Sequence, residues 1–215
     1  MRIIEPVTML SDYALAGISL IFAARLFREG QARLQTSIRL WSATFVATAT
    51  ASAFGGSYHG LSAYLSGLGG LLLWKFTIYS LGLTSLLMLS GAIVAAVTRS
   101  PRRLLLAAAG LKFAVYAVWM VTHNDFRFVI YDYAVSMLGV LSLQAWIIRR
   151  RPNGGAYWIA GGVLISFGAA GVQMAGFDLH PHFNHNDLYH LIQMFALYLL
   201  YKGGLAFHDA GLQGL

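Results

Sequence analysis

The sequence predicts an all-α polytopic membrane protein, a single bundle of seven transmembrane helices. Three observations carry that expectation. The 215 residues are 58% hydrophobic and only 11% charged, against roughly 25% charged in a soluble domain. Apolar runs of about 20 residues or more recur along the chain, the length an α-helix needs to cross the hydrocarbon core. Basic residues crowd alternate connections between those runs, which is how cytoplasmic loops are marked. The net charge of +7 is therefore a topology signal, and no nucleic-acid partner is expected. The absence of cysteine excludes disulfides and thiolate metal sites.

The first span runs from Val7 to Phe27, with Asp12 about a turn and a half inside its start. It has no basic leader and no small-residue cleavage site after a short apolar core, so a retained helix is expected, not a signal peptide. Arg25, Arg28, Arg33 and Arg39 mark the connection to a second span, Leu40 to Tyr58. That span closes in Gly55-Gly56-Ser57-Tyr58-His59-Gly60. A glycine-rich, uncharged stretch over 61–70 leads into the third span, 71–98, which carries Lys75 near its start and is long enough to tilt. Arg99-Ser100-Pro101-Arg102-Arg103 ends it.

The fourth span, 104–122, has Lys112 near its middle and leads into Thr122-His123-Asn124-Asp125. The fifth, 128–148, holds Asp132 one turn inside and stops at Arg149-Arg150-Arg151-Pro152. The sixth, 156–176, is rich in small residues (Gly161, Gly162, Gly168, Ala169, Ala170, Gly171), which let helix backbones approach closely in lipid. The seventh, 187–206, ends at Lys202-Gly203-Gly204. No repeat or second domain interrupts the pattern, so residues 1–215 are expected to form one domain.

Basic residues gather in the 1–2, 3–4 and 5–6 connections and at the end of the last span, while the other connections contain only Arg127. The positive-inside rule then predicts the N-terminus outside and the C-terminus inside. Six of the seven histidines and six of the eight carboxylates fall on the outer side. An ionisable side chain in hydrocarbon costs roughly 2.5–3.5 kcal/mol on insertion scales, so one that is present faces a partner or a cavity. This asymmetry is the strongest functional signal in the chain. The short loops point to an integral protein of a bacterial inner (plasma) membrane.

The cluster is densest between Phe177 and Gln193, where His180, His182, His185 and His190 occur with Asp178 and Asp187. If the chain is helical from Asn186 onward, Asn186 and Asp187 lie four and three residues before His190 on one face, with Gln193 a turn deeper. Asn186 or Asp187 would also serve as a helix cap, which leaves His190 and Gln193 unexplained. Gly55 and Gly56 lie one turn behind His59 and leave room for another helix or a bound group. Asp132 is either a catalytic group or an ion-pair partner for Lys75 or Lys112, and Asp12 has the same two options. A retinal Schiff base would need a lysine deep in helix seven, where only Lys202 near the inner end is offered.

Seven spans, a histidine closing helix two and a histidine-bearing polar motif opening helix seven resemble the CREST superfamily of alkaline ceramidases, progestin/adiponectin receptors and GPI-remodelling proteins. In that group a helix-two histidine and a helix-seven His-x-x-x-His pair hold zinc, with a serine four before the first histidine and an aspartate about eleven after it. The resemblance maps His59 to the first ligand and His190 to the last. Asn186 stands where the family has the other helix-seven histidine, flanked by His185 and Asp187. Gly55 stands where the family has serine, with Ser57 and Ser52 nearby, and no aspartate follows His59 before Lys75.

The resemblance implies a membrane-embedded zinc-dependent hydrolase acting on a lipid amide or ester, with its site at the outer ends of helices two, five and seven. His59 and His190, with one of His185, Asp187 or Asn186, would be the metal ligands, leaving a fourth position open for water. Asp132 would be the general base, and Ser57 or Tyr58 would stabilise the oxyanion. The alternative expectation is a receptor, sensor or small-solute or proton-handling bundle, in which His59, Asp132, His190 and Gln193 line a metal-free polar cavity.

Overall fold

A computed structural model describes residues 3–150, 154–180 and 183–211. These residues form seven α-helices: α1 (Pro6–Ala32), α2 (Thr36–Leu61), α3 (Gly67–Ala96), α4 (Arg99–Thr122), α5 (Phe126–Arg150), α6 (Gly154–Ala175) and α7 (His185–Leu205). A single 3-10 turn, Ser62–Tyr64, follows α2. Every helix begins before its apolar span. Hydropathy marks the stretch that suits hydrocarbon, whereas the flanking polar and basic residues are helical as well. Of the stretches singled out above, Arg151, Pro152 and His182 lie outside the described residues.

Five helices, α1, α3, α4, α5 and α6, are long and apolar enough to cross a membrane. The other two, α2 and α7, are the polar ones, and they are well enclosed by the rest. α2 satisfies its own hydroxyls: Thr44, Thr48, Thr50 and Ser57 donate to the carbonyls of Leu40, Thr44, Val46 and Ala53, four residues back, at 2.7–3.0 Å. A hydroxyl bonded within its own helix no longer needs water.

The packing is a ring. α1 contacts α2, α2 contacts α3, α3 contacts α5, α5 contacts α6, α6 contacts α7, and α7 returns to α1. α4 stands outside this ring and leans on α3. The arginine-rich half of the ring is solid, filled by Leu26, Trp41, Phe45, Met88, Val140 and Ile159. Phe22 joins its neighbours there, stacked on Tyr201 at 4.4 Å and edge-on to Phe45 at 5.7 Å. Without a hydrophobic drive between helices in lipid, such contact relies on close approach. Gly162 supplies it between α6 and α7, since an added Cβ there would sit 3.0 Å from the Ala196 carbonyl oxygen. Gly168 and Gly171, in the same small-residue stretch, meet nothing within 4 Å. Only one face of that stretch is used for packing.

The chain after α7 turns back and is fastened to the start of α2. The buried Asp209 carboxylate accepts from the backbone N–H groups of Thr36 and Ser37 at 2.8 Å each and from the Ser37 hydroxyl at 2.5 Å. An anion at a helix N-terminus meets unpaired donors and the favourable end of the dipole. Asp209→Ala is expected to lower stability by about 3 kcal/mol, with Asp209→Asn recovering part of the loss. Unfolding of the detergent-solubilised variants by SDS titration checks this, and a loss below 1 kcal/mol for alanine would refute it.

Candidate functional site

The histidine end of the ring is hollow, and α1 explains why its polar groups converge. Gly55, Gly56 and Gly60 form the strip of α2 that α1 lies on. A Cβ on Gly56 would stand 2.9 Å from Asp12 Cβ and 3.1 Å from the Met9 carbonyl oxygen. One on Gly55 would stand 3.5 Å from Asp12 Oδ2. The room expected behind His59 is taken by another helix, which brings Asp12 into the bundle interior.

There Asp12 meets α7. His190 Nδ1 lies 2.8 Å from Ser11 Oγ, and His190 Nε2 lies 3.3 Å from Asp12 Oδ1. The Ser11 hydroxyl donates to the Thr8 carbonyl at 3.0 Å. With that bond made, Nδ1–H donates to Ser11 Oγ. Nε2 and Asp12 Oδ1 then attract each other only if they share one proton, whichever atom carries it. Both side chains are buried, at 10% and 7% exposure.

The pair faces a cavity of about 310 Å³, within the size range of small-molecule sites. All six ring helices line it and α4 does not. Leu15, Leu81, Val129 and Met137 form apolar wall, and Trp74, Tyr133 and Tyr189 form aromatic wall. Amide groups occupy one side. Gln173 Nε2 donates to Asn186 Oδ1 at 2.7 Å, and Gln193 Nε2 donates to Ser166 Oγ at 3.3 Å. The Gln173 Oε1 atom is buried without a partner. An acid–base pair and an unfilled amide acceptor therefore line one space.

The residues singled out in the sequence divide into two groups. His59, His190 and Asn186 line the cavity together with Gln193. His59 Nδ1 also pairs with Glu5 Oε2 at 3.0 Å near the mouth. Asp132 does not line it. Its carboxylate is bound by Lys112 Nζ at 2.6 Å, so the ion-pair option, not the cavity, accounts for its position. Lys75 instead donates to the carbonyls of Met120, Val121 and His123 at the end of α4.

Ser57 is hydrogen-bonded to Tyr13 Oη at 2.9 Å, and Tyr58 packs on Trp74 at 5.0 Å; neither lines the cavity. His185 is the first residue of α7 and pairs with Asp178 at 2.8 Å. That hydrogen bond, with one from the His185 backbone N–H, holds the Asp178 carboxyl below its ordinary range. In the 4–5 turn the Arg127 guanidinium does the same for Asp125.

The cap of α7 is Asn184, not Asn186 or Asp187. Its side chain accepts from the N–H groups of Asn186 and Asp187, and the Asp187 carboxylate answers by accepting from the Asn184 N–H at 2.9 Å. This reciprocal capping box accounts for Asp187 Oδ2, while Oδ1 is buried without a partner. Sequence reasoning offered Asp12 a catalytic role or a lysine partner, not His190, counted Glu5 only among the outer carboxylates, and passed over Ser11 and Gln173. The one available signal was an aspartate inside an apolar span, next to a serine.

Zinc would need three donors converging on one point. Among the described residues no group of three histidine, aspartate or glutamate side chains is arranged to hold a metal. His59 is turned to Glu5, both His190 nitrogens are engaged by α1, and Asp187 caps its helix.

The chain belongs to the family of unknown function DUF6962, which matches residues 7–209. No curated protein and no solved structure matches it.

Proposed function

We propose that this member of the DUF6962 family takes a small amphiphilic molecule into the cavity at the histidine end of the bundle, where Asp12 and His190 hydrogen-bond its polar head. The observation that carries this function is the buried approach of Asp12 Oδ1 to His190 Nε2, at 3.3 Å, on the wall of a 310 Å³ cavity. A carboxyl and an imidazole side by side offer a ligand head both a hydrogen-bond donor and an acceptor. The free Gln173 acceptor and the Asn186 and Gln193 amides suit a head with donors and acceptors, such as a lipid amide or ester. The apolar and aromatic wall suits its chain. The arginine distribution supports an N-out, C-in orientation, which puts the cavity mouth on the outer face, in a bacterial inner membrane.

Zinc-dependent hydrolysis of such a lipid, as the CREST resemblance implies, is the second function with support. His59 and His190 line the same cavity, as that resemblance requires, and Asp12 stands beside His190 as an aspartate supplied by α1. No catalytic step through the metal follows from the side chains as placed. One experiment separates the two. Purified wild type, His59→Ala and His190→Ala would be assayed for zinc, then for binding and cleavage of a short-chain fatty amide. The expected result is no zinc in folded wild type, with amide binding weakened at least tenfold in His190→Ala. About one zinc per chain, lost in both variants and accompanied by amide cleavage, would give the hydrolase first place. Equal binding by wild type and His190→Ala would remove the cavity function.

A further inference from the structure

The arginine-rich end of the molecule carries a second hollow, independent of the first. Because α4 packs on α3 and makes little contact with α5, a groove of about 1410 Å³ runs between α4 and α5 toward the segment after α7. Lys112 lies at its deep end, and Pro101 of α4 and Arg150 of α5 lie at its shallow end. Eleven residues separate Lys112 from Pro101 along α4, or about 16 Å at the helical rise. That is half the hydrocarbon core of roughly 30 Å, the depth of one leaflet. The rim is open to the surroundings, with Leu105, Val135 and Trp146 exposed along it.

Two features of the groove point to what occupies it. Gln144 of α5 forms part of the wall, has no exposed surface, and leaves both its amide nitrogen and its amide oxygen without a partner. A buried amide with neither end satisfied is costly, and is rare unless something absent from the chain itself completes it. Arg150 at the shallow end carries a charge that no carboxylate takes up among the described residues; its guanidinium lies over the Trp146 ring at 5.9 Å. A positive head at the membrane surface, a polar amide partway down and an apolar slot one leaflet deep match an anionic phospholipid. Its phosphate would meet Arg150, an ester group would meet Gln144, and an acyl chain would run toward Lys112.

We propose that the α4–α5 groove binds one anionic glycerophospholipid of the leaflet at the arginine-rich end. Basic residues at a membrane surface favour anionic lipids, and the charge of Arg150 sets the preference for phosphatidylglycerol over phosphatidylcholine. Seating the lipid closes the space that the helix packing leaves open and gives the Gln144 amide its partners.

The test is native mass spectrometry of the full chain released from phosphatidylglycerol or phosphatidylcholine vesicles into mild detergent. Wild type is expected to retain one phosphatidylglycerol and little phosphatidylcholine. Arg150→Gln, a surface change that leaves the fold intact, is expected to retain about fivefold less phosphatidylglycerol. Ala108→Trp, which fills the groove, is expected to retain none. Gln144→Leu should lose lipid as well, while its delipidated form melts higher than delipidated wild type because the unsatisfied amide is gone. Inorganic phosphate should neither stabilise the protein nor displace the lipid. Equal retention of the two lipids by wild type, undiminished retention by Arg150→Gln, or the same stabilisation by phosphate alone would each overturn the proposal.

Discussion

Lys112→Met is expected to destabilise the bundle by about 3–5 kcal/mol, because it leaves the Asp132 carboxylate buried without a counter-charge. Lys112 Nζ binds Asp132 Oδ1 at 2.6 Å, the Asp132 carbonyl at 3.1 Å and Ser85 Oγ at 2.9 Å. Ser85 in turn is hydrogen-bonded to Ser136 at 2.8 Å. One cation thus ties α4 to α3 and α5 at a depth where water does not replace the lost bonds. It matters most for α4, which has no place in the ring and little other contact with α5.

The double variant Lys112→Met/Asp132→Leu removes both charges and is expected to regain most of the loss, since two apolar side chains at that depth suit lipid. SDS-titration unfolding of the four proteins gives the coupling. Additive losses in the double variant would mean that the ion pair does not hold these helices together.

The second large effect is expected at Asp12 and His190. His190→Ala should cost about 3–5 kcal/mol, and Asp12→Ala a similar amount, with the double variant far less destabilised than the sum. Here geometry sharpens the expectation. The Nε2–Oδ1 contact needs a proton, so Asp12→Asn is informative: an amide N–H can donate to Nε2 and keep His190 in place. Asp12→Asn is therefore expected to retain most of the stability and to weaken the head-group binding proposed for the cavity. Near-native unfolding with weakened binding of the fatty amide would place the binding on the Asp12 carboxyl. Near-native unfolding with unchanged binding would make the pair a helix lock alone.

The all-α class and the seven helices were legible in the sequence because long runs with few charges are a local property, readable without knowing any contact; five of the helices are also apolar enough to cross a membrane. The gathering of polar groups at one level among the described residues was equally legible, since position along each span sets depth. Depth alone brought His59, His190, Asn186 and Gln193 to a common level, and they do line one cavity.

What depth cannot give is the angle around each helix axis. Asp132 and Asp12 looked alike as single carboxylates within apolar spans. The ring turns Asp132 toward Lys112 on the outlying α4 and turns Asp12, across the glycine strip of α2, toward His190. Which helix sits beside which depends on side-chain shape summed over whole faces, and that pattern is not periodic in the sequence. The same reason hid the fastening of Asp209 to α2 and the empty groove behind Gln144. Composition and hydropathy determined that this chain is a helical bundle with a polar end. Only the closing of six helices into a ring, with the seventh left outside, decided which polar groups meet.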